Sequence, residues 1–559
     1  IGPPIRASCR IITRASRWPP GRFHPIGFEG IEFAENISMI RANIINSDQN
    51  SKKGKAMKSK KTMAPEGVQS GAGVAAGVKG VNFRFEDLRG WIEEADKLGE
   101  VRHVTGASWE EDMGMAAELV LRDGNAPAVL FDEVPGYPKG FRVLTNFYGG
   151  KRMNMTMGFP DDLTKLELTD AHFKYQIDGL PTIPYEVVDD GPIFENVLEG
   201  DDVDMEMFPT PLWHEHDGGR YFGTGSFDVT LDPDSDWINV GCYRVMIQGK
   251  KEVGIYMSPG KHGRVHRDKY EERGERMPVV VVAGGDPMNF LAACSEFPQG
   301  MCEYDIVGGM RGEAVKVVKG KHTGIPFPAN SEIVIEGFIE PGNRKKEGPF
   351  GEWTGYYASD VREEPILNVV AIYHRNDPII LGCPPQRPPD ELGRYRAVTR
   401  SALLRDNISR AGVPDVTDVW AHEVGGARML LGVAIKQRYP GHARQVGHIA
   451  AQCHVGAYAG KYVVVVDEDI DVSSLEDLTW AMLTRSDPAS SIDIIPEAWS
   501  TPLDPRISPE DKDAGNYRNS RAIIDACRPF HWRKEFPLVN AMSPELAKKA
   551  RKKYGYLLD

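Results

Sequence analysis

Glu347-Gly-Pro-Phe-Gly-Glu352-Trp-Thr-Gly-Tyr-Tyr357 is the stretch on which the reading of this chain turns. Gly348, Pro349 and Gly351 separate two carboxylates that stand five positions apart. Proline has no N–H and glycine favours turns, so an ordinary helix is disfavoured and a bent loop is expected, able to aim both acids into one site. Two acids forced together titrate unlike an isolated pair. One is pushed towards a raised pKa and can carry a proton near neutrality, which is what a general acid requires. On these residues alone a Gly-Pro turn carrying two solvated glutamates is an equal reading, so the flanking chain has to decide.

Upstream, between about Ile193 and Tyr357, strands dominate: Tyr243 to Ile247, Val253 to Met257, Val279 to Ala283, Ala314 to Val318, and Glu332 to Ile339 with period-two alternation. Downstream of Pro365, Ile366 to Tyr373 and Tyr462 to Val466 are continuous apolar strands, separated by helical stretches around Tyr395 to Leu404 and Ala443 to Cys453. That pattern predicts an α/β domain. Before the strand-rich region, Phe85 to Ile92 and Trp109 to Leu121 have helical spacing, the second with Met113, Met115, Ala116 and Leu119 on its buried side, and Ala128-Val-Leu-Phe is a short strand.

The chain opens at Ile1, and Arg6, Arg10, Arg14, Arg17 and Arg22 precede its first acid, Glu29. Such a start reads as a transit peptide, an expression remnant or translated upstream sequence, with Met57 and Met63 as candidate true starts. A basic tract over Lys52–Lys61 and a Gly/Ala/Val/Ser run over Gly67–Gly80 complete a tail expected to be disordered. The expected domains are a tail or linker over 1–80, an N-terminal α/β domain over 81–190, a central domain over 191–362 and a C-terminal α/β domain over 363–559.

Composition narrows the class. At 559 residues the chain should divide into about three or four domains. A net charge of −13 argues against nucleic acid as a partner, and no apolar run approaches the roughly 20 residues of a membrane span. Seven cysteines, odd in number and never spaced Cys-x-x-Cys, read as reduced thiols of a cytoplasmic protein. Nicotinamide, nucleoside-triphosphate and serine-hydrolase readings have no anchor, for want of Gly-x-Gly-x-x-Gly, Walker and Gly-x-Ser-x-Gly motifs. Asp467-Glu-Asp-Ile-Asp471 lacks the central Gly and terminal Glu of a calcium loop, and is expected to cap the helix that follows a buried strand.

Three further motifs bear on the carboxylate loop. Arg244, in Asn239-Val-Gly-Cys-Tyr-Arg244, is either a surface residue or an ion-pair partner that fixes one glutamate ionised while the other keeps its proton. His262, in Pro259-Gly-Lys-His262-Gly-Arg, is a surface residue of a Gly-rich turn or a metal ligand. Glu303 and Asp305 follow another turn. Asn239, His262 and Glu303 together would form a mixed oxygen and nitrogen set suited to Mn²⁺ or Mg²⁺.

Taken in order, Asn239…Arg244, Pro259-Gly-Lys-His262, Cys302-Glu303-Tyr304, Glu347 to Tyr357, Arg387-Pro-Pro-Asp-Glu and Ile435-Lys-Gln-Arg-Tyr-Pro-Gly-His-Ala-Arg444 closely resemble the UbiD family of reversible decarboxylases, from about Phe83 to the end. The resemblance implies an α/β (α+β) fold in three parts, with a central split β-barrel that binds flavin and a C-terminal α/β oligomerisation domain. It implies prenylated FMN, which forms a covalent adduct with an unsaturated acid and takes up electrons while CO₂ leaves. By position, Arg244, Glu347 and Glu352 match the family's catalytic network, with Glu352 as proton donor and Glu347 as partner of Arg244. Asn239, His262 and Glu303 match the ligands of a divalent metal, Mn²⁺ or Mg²⁺, that bridges to the cofactor phosphate; Lys436 matches a basic residue near that phosphate, and K⁺ is a further candidate ion. Implied partners are a small aromatic acid, CO₂, a flavin prenyltransferase as cofactor supplier, and further copies of the chain in a dimer or hexamer. Ser500 to Arg533 would be a tail docking on a neighbouring subunit.

Glu352 stands where some quinone-pathway members carry Asp, and Leu381-Gly-Cys-Pro-Pro-Gln departs from their Ser/Thr-Tyr-Thr-Gly stretch. These departures favour a smaller aromatic acid over a polyprenyl-hydroxybenzoate of ubiquinone synthesis. Two classes outside decarboxylation compete with this reading. One is a split-barrel flavin oxidoreductase, which has no need of an Arg-Glu-Glu network, and the second is a non-catalytic subunit of a multi-component carboxylase.

Overall fold

The carboxylate loop joins two long strands, Ile333–Glu347 and Arg362–His374, which run antiparallel with Glu347 opposite Arg362 at the loop end. Gly348, at φ +91°, turns the chain out of the first strand in a conformation that glycine adopts without steric cost. The computed structural model describes residues 81–177, 181–295 and 297–558, and these belong to one compact unit. The tail expected over residues 1–80 lies outside the described residues.

The two strands are central to a nine-stranded antiparallel sheet. Its order is Tyr221–Gly223, Arg244–Gly249, Glu252–Tyr256, Arg362–His374, Ile333–Glu347, Met277–Ala283, Phe227–Leu231 and Ile238–Gly241, and Asn196–Glu199 also pairs with Arg362–His374. The sequence reading placed Ile366–Tyr373 in a third domain beginning at 363. That run belongs instead to the central sheet, because a continuous apolar strand is equally at home in any sheet covered on both faces. Ile333 to Gly337 are likewise all buried, despite the alternating residue types. The buried Glu336 is satisfied by Thr323 Oγ1 and Tyr373 Oη, each donating at 2.7 Å.

Two smaller sheets flank this one in sequence. Val101–Thr105, Ala128–Asp132 and Arg142–Thr145 form a mixed sheet that takes its fourth strand from Ile379–Gly382. In helix Asp112–Leu121 the buried face carries Met113, Ala117 and Leu121, whereas Met115 and Leu119, expected inside, are 54% and 80% exposed. Gly114 selects that face. A Cβ there would lie 2.7 Å from the Trp213 carbonyl oxygen, so only glycine permits the close approach.

The third sheet has the order Val416–Ala421, Leu430–Ile435, Tyr462–Asp467, Arg518–Asp525, Ile492–Trp499. Arg518–Asp525 therefore sits inside its own sheet and is not a tail docked on another subunit. Its buried Arg521, Ile523 and Ile524 fix it there, and Lys461 binds Asp504 at 2.8 Å in the preceding segment. The acidic run is corrected too. Helix Leu475–Arg485 is capped by Ser474, and Asp467 is buried beneath Gln437, Arg485 and Arg528. Among the described residues no helix is long and apolar enough to cross a membrane.

Candidate active site

Strand geometry brings the first cluster together. Arg244 opens one strand of the large sheet, Glu347 closes another, and Glu352 lies in the loop beyond, where its N–H donates to the Tyr356 carbonyl at 3.1 Å. Arg244 grips Glu347 bidentately, Nε to Oε1 at 2.8 Å and Nη2 to Oε2 at 2.7 Å, and reaches Glu352 Oε1 from Nη1 at 2.5 Å. Tyr221 Oη donates to Glu347 Oε1 at 2.8 Å. The guanidinium lies 4.4 Å from the Tyr256 ring centroid and 5.0 Å from that of Phe350, an aromatic bracket suited to a planar cation.

Burial decides the charge state. Glu347 is fully buried and Glu352 nearly so, and two carboxylates beside one cation leave a buried excess negative charge, which protonation removes. Burial raises the Glu352 carboxyl above the ordinary carboxylate range; Arg244 pulls it back without cancelling the rise, and Glu347 adds to it. Burial alone would lower Arg244, but Glu352 and Glu347 hold it above its ordinary value, so it stays charged.

The second cluster is built at two helix N-termini. His262 is the first residue of helix His262–Arg273, not a member of a free turn, and Glu303 is the first residue of helix Glu303–Arg311. Backbone bonds tie them to Asn239. Val240 N–H donates to Glu303 Oε2 at 2.8 Å, and Tyr243 Oη accepts from Gly263 N–H at 2.9 Å and from Asn239 Nδ2 at 3.3 Å. Asn239 Nδ2 also donates to Thr230 Oγ1 at 3.1 Å. Its N–H groups are thus engaged by protein acceptors, which leaves its oxygen for an electropositive partner. Burial pushes the Glu303 carboxyl up to about 8 and lowers His262, with Lys261 adding to the second effect.

Both clusters open on one cavity of about 470 Å³, lined among others by Asn239, Arg244, Lys261, His262, Glu303 and Glu352. That volume is in the usual range of ligand sites. Glu347 reaches the cavity through Arg244. Lys436 does not line it: it is exposed at the end of strand Leu430–Ile435, its N–H donating to the Asp415 carbonyl. Lys261 is the lysine the fold places on the cavity wall. Among the described residues no group of three or more His, Cys, Asp or Glu could hold a metal; the candidate trio has two such residues and a carboxamide.

Sequence reasoning missed Tyr221, Tyr243 and Asp217. Tyr243 sat unweighed within the Asn239–Arg244 motif, and Tyr221 lies in an apolar Tyr-Phe-Gly strand that carries no chemical signal. Asp217 accepts from Gly351 N–H in the carboxylate loop at 3.2 Å, and burial pushes its carboxyl up to about 6.

The fold and the comparisons with known proteins together place the chain in the UbiD class of decarboxylases. The chain belongs to the 3-octaprenyl-4-hydroxybenzoate carboxy-lyase (UbiD) family: its N-terminal domain matches residues 92–172, its Rift-related domain 186–388 and its C-terminal domain 395–526. It is 30% identical to the pyrrole-2-carboxylic acid decarboxylase of Pseudomonas aeruginosa over 459 residues, 79% of this chain and 91% of the relative. It is 31% identical to the phenolic acid decarboxylase of Bacillus subtilis over 452 residues, 80% and 93% of the two chains. The UbiD-class enzyme HmfF from Pelotomaculum thermopropionicum, solved in complex with FMN, superposes with a TM-score of 0.74 at 26% identity, covering 84% of this chain and all of that one. An evolved dimeric form of HmfF, solved with prFMN, gives a TM-score of 0.70 at 25% identity over 84% of this chain and all of the other. The protein is therefore an enzyme, a carboxy-lyase of this family.

Proposed function

We propose that the chain removes CO₂ from a small aromatic carboxylic acid with prenylated FMN as cofactor, and that Glu352 supplies the proton that replaces the carboxyl group. The observation that carries this reading is a buried, cavity-facing acid whose carboxyl burial raises above the ordinary carboxylate range, beside a charged arginine. Arg244 has five N–H donors, of which three go to Glu347 and Glu352. The other two are free to orient a substrate carboxylate. Glu347, fixed by Arg244 and Tyr221, keeps the guanidinium in place. Glu352 delivers its proton to the carbon vacated by CO₂ and is reprotonated from solvent; run in reverse, it accepts that proton and carboxylation follows.

The cavity fits the cofactor. Its volume, the two helix N-termini and Lys261 suit a phosphate, and an Asn oxygen, an imidazole and a buried carboxylate suit Mn²⁺ or Mg²⁺. When bound, prenylated FMN supplies an electron sink for the carbanion that decarboxylation leaves. Phe350, Trp353, Tyr458 and Trp499 on the wall favour a planar aromatic substrate, as the relatives named for pyrrole-2-carboxylic and phenolic acids also suggest.

The test is to produce the protein alongside a flavin prenyltransferase and offer it a panel of aromatic acids, pyrrole-2-carboxylate and hydroxycinnamate included. Consumption of one acid in D₂O, with one deuteron at the vacated carbon, is expected. Flavin-loaded protein that only exchanges electrons with a reductant, and consumes no acid, would overturn the proposal in favour of an oxidoreductase.

A further inference from the structure

Three cysteines, Cys242, Cys294 and Cys383, line the cavity, although the seven cysteines look scattered along the chain. Two of them, 52 residues apart in sequence, bring their sulfurs to 3.0 Å. Cys242 lies in the short link between strand Ile238–Gly241 and Arg244, and Cys294 caps the C-terminus of helix Pro287–Ala293. Both are free thiols. An S–S bond measures about 2.05 Å, so closing this gap of about 1 Å calls for a local adjustment and not a rearrangement of the chain.

The chemistry of the two sulfurs differs. Burial pushes both thiols up. For Cys294 the hydrogen bond with Cys242 and the charge of Arg396 outweigh that effect, so its thiol falls below the ordinary value, while Cys242 stays well above it. One sulfur is set up to attack and its neighbour to resolve. Cys302, pushed up to about 12, is set up for neither.

We propose that Cys242 and Cys294 form a reversible disulfide in the wall of the cavity, made by a small disulfide oxidant and undone by a dithiol, and that its formation slows the decarboxylase. Only the second clause rests on the function proposed above. The Cys294 thiolate attacks one sulfur of the oxidant RSSR, giving a mixed disulfide and releasing RS⁻, which takes up a proton. Cys242 then loses its proton, attacks the Cys294 sulfur and expels the second RS⁻, which is protonated in turn. Two protein thiols are oxidised to one disulfide and RSSR is reduced to two RSH. Only Tyr243 separates Cys242 from Arg244, and the Tyr243 hydroxyl holds Asn239 and Gly263. Drawing Cys242 towards Cys294 therefore shifts the backbone that sets both clusters. Misplacement by about 1 Å can cost on the order of 10²-fold in rate.

The experiment treats the cofactor-loaded enzyme with oxidised glutathione, blocks the remaining thiols and maps peptides by mass. Expected are the loss of two free thiols, a mass decrease of about 2 Da and a linked peptide containing Cys242 and Cys294, all reversed by dithiothreitol. At matched flavin content, decarboxylation should fall at least about 10-fold on oxidation and recover on reduction. Cys294→Ser and Cys242→Ser variants, each compared with its own reduced form, should lose both the link and the response. A link joining any other pair, or an unchanged thiol count at saturating oxidant, overturns the disulfide; full turnover by the linked protein overturns the switch. Peptide mass is read without any substrate, so failure to find an acid that the enzyme consumes cannot be mistaken for either result.

Discussion

The Arg244 network and the Asn239–His262–Glu303 cluster line one cavity and handle buried charge in opposite ways. Glu347 and Glu352 meet a guanidinium supplied by the same chain, so the network is electrostatically closed once one proton is held. Glu303, as deeply buried, has backbone N–H donors, and among the described residues no Lys or Arg pairs with it; its carboxyl rises to about 8. The contrast separates the part preorganised by protein alone from the part built to receive a cation: a divalent ion inverts the pKa logic of a carboxylate that burial would otherwise keep neutral.

The most severe test of this contrast removes the proton without removing the closed network. Glu352→Gln keeps the shape and a hydrogen bond to Arg244 but supplies no acid, so turnover should fall about 10²–10⁴-fold with flavin absorbance and melting temperature retained. Near-parental turnover would end the assignment of Glu352 as the donor. The pH profile carries the same information. Because burial raises the Glu352 carboxyl, its acid form persists above the ordinary carboxylate range. Activity should therefore be present below the raised pKa and fall about 10-fold per pH unit above it. A flat profile through that limb would show that some other group delivers the proton.

On the other side of the cavity, His262→Ala and Glu303→Gln should lower bound Mn²⁺ or Mg²⁺ and flavin together, by about 10–100-fold in metal retention, while the Arg244 network stays intact. Elemental content and the flavin spectrum of the same sample decide it. Full flavin occupancy in the metal-free double variant would make the second cluster structural.

The two clusters were also legible to different degrees. The carboxylate loop announced itself because Gly and Pro chemistry disfavours a helix and because six landmarks occur in one order. Asn239, His262 and Glu303 all line the cavity, but no spacing rule foretells that His262 and Glu303 each begin a helix. Lys436 stays exposed beyond its strand end, because position in a motif says nothing about which way a strand end faces, while Lys261, next to His262, lies on the cavity wall. Met115 and Leu119 failed because helical periodicity offers two apolar faces and only the contact of Gly114 with Trp213 selects one. Ile366–Tyr373 failed because an apolar run reads alike in a parallel sheet and in the middle of an antiparallel one.

Within the closed network, geometry can be separated from charge. Arg244→Lys preserves the cation but loses the planar fork that grips Glu347 through two parallel bonds. A loss of at least about 10-fold in kcat/KM at matched cofactor content is expected, equivalent to roughly 1.4 kcal/mol of transition-state stabilisation. Equal values for the two proteins would reduce Arg244 to a point charge.

The mildest change is expected at Tyr221, which no sequence signal pointed to. Its hydroxyl is one of three donors on Glu347, and its ring packs 4.2 Å from that of Phe350, the residue that also brackets Arg244. Tyr221→Phe keeps the ring and the packing and removes one neutral donor, leaving Glu347 still held bidentately. The stability cost should be on the order of 1 kcal/mol, and kcat should fall only a few-fold, because the remaining two bonds keep Glu347 in place. The informative comparison is with Arg244→Lys. The loss in kcat/KM for Tyr221→Phe should be the smaller of the two, because both Arg244–Glu347 bonds survive. A loss as large as that of Arg244→Lys, at a normal melting temperature, would mean that the Tyr221 hydroxyl and not the guanidinium fork positions Glu347, and that the closed network needs its third donor.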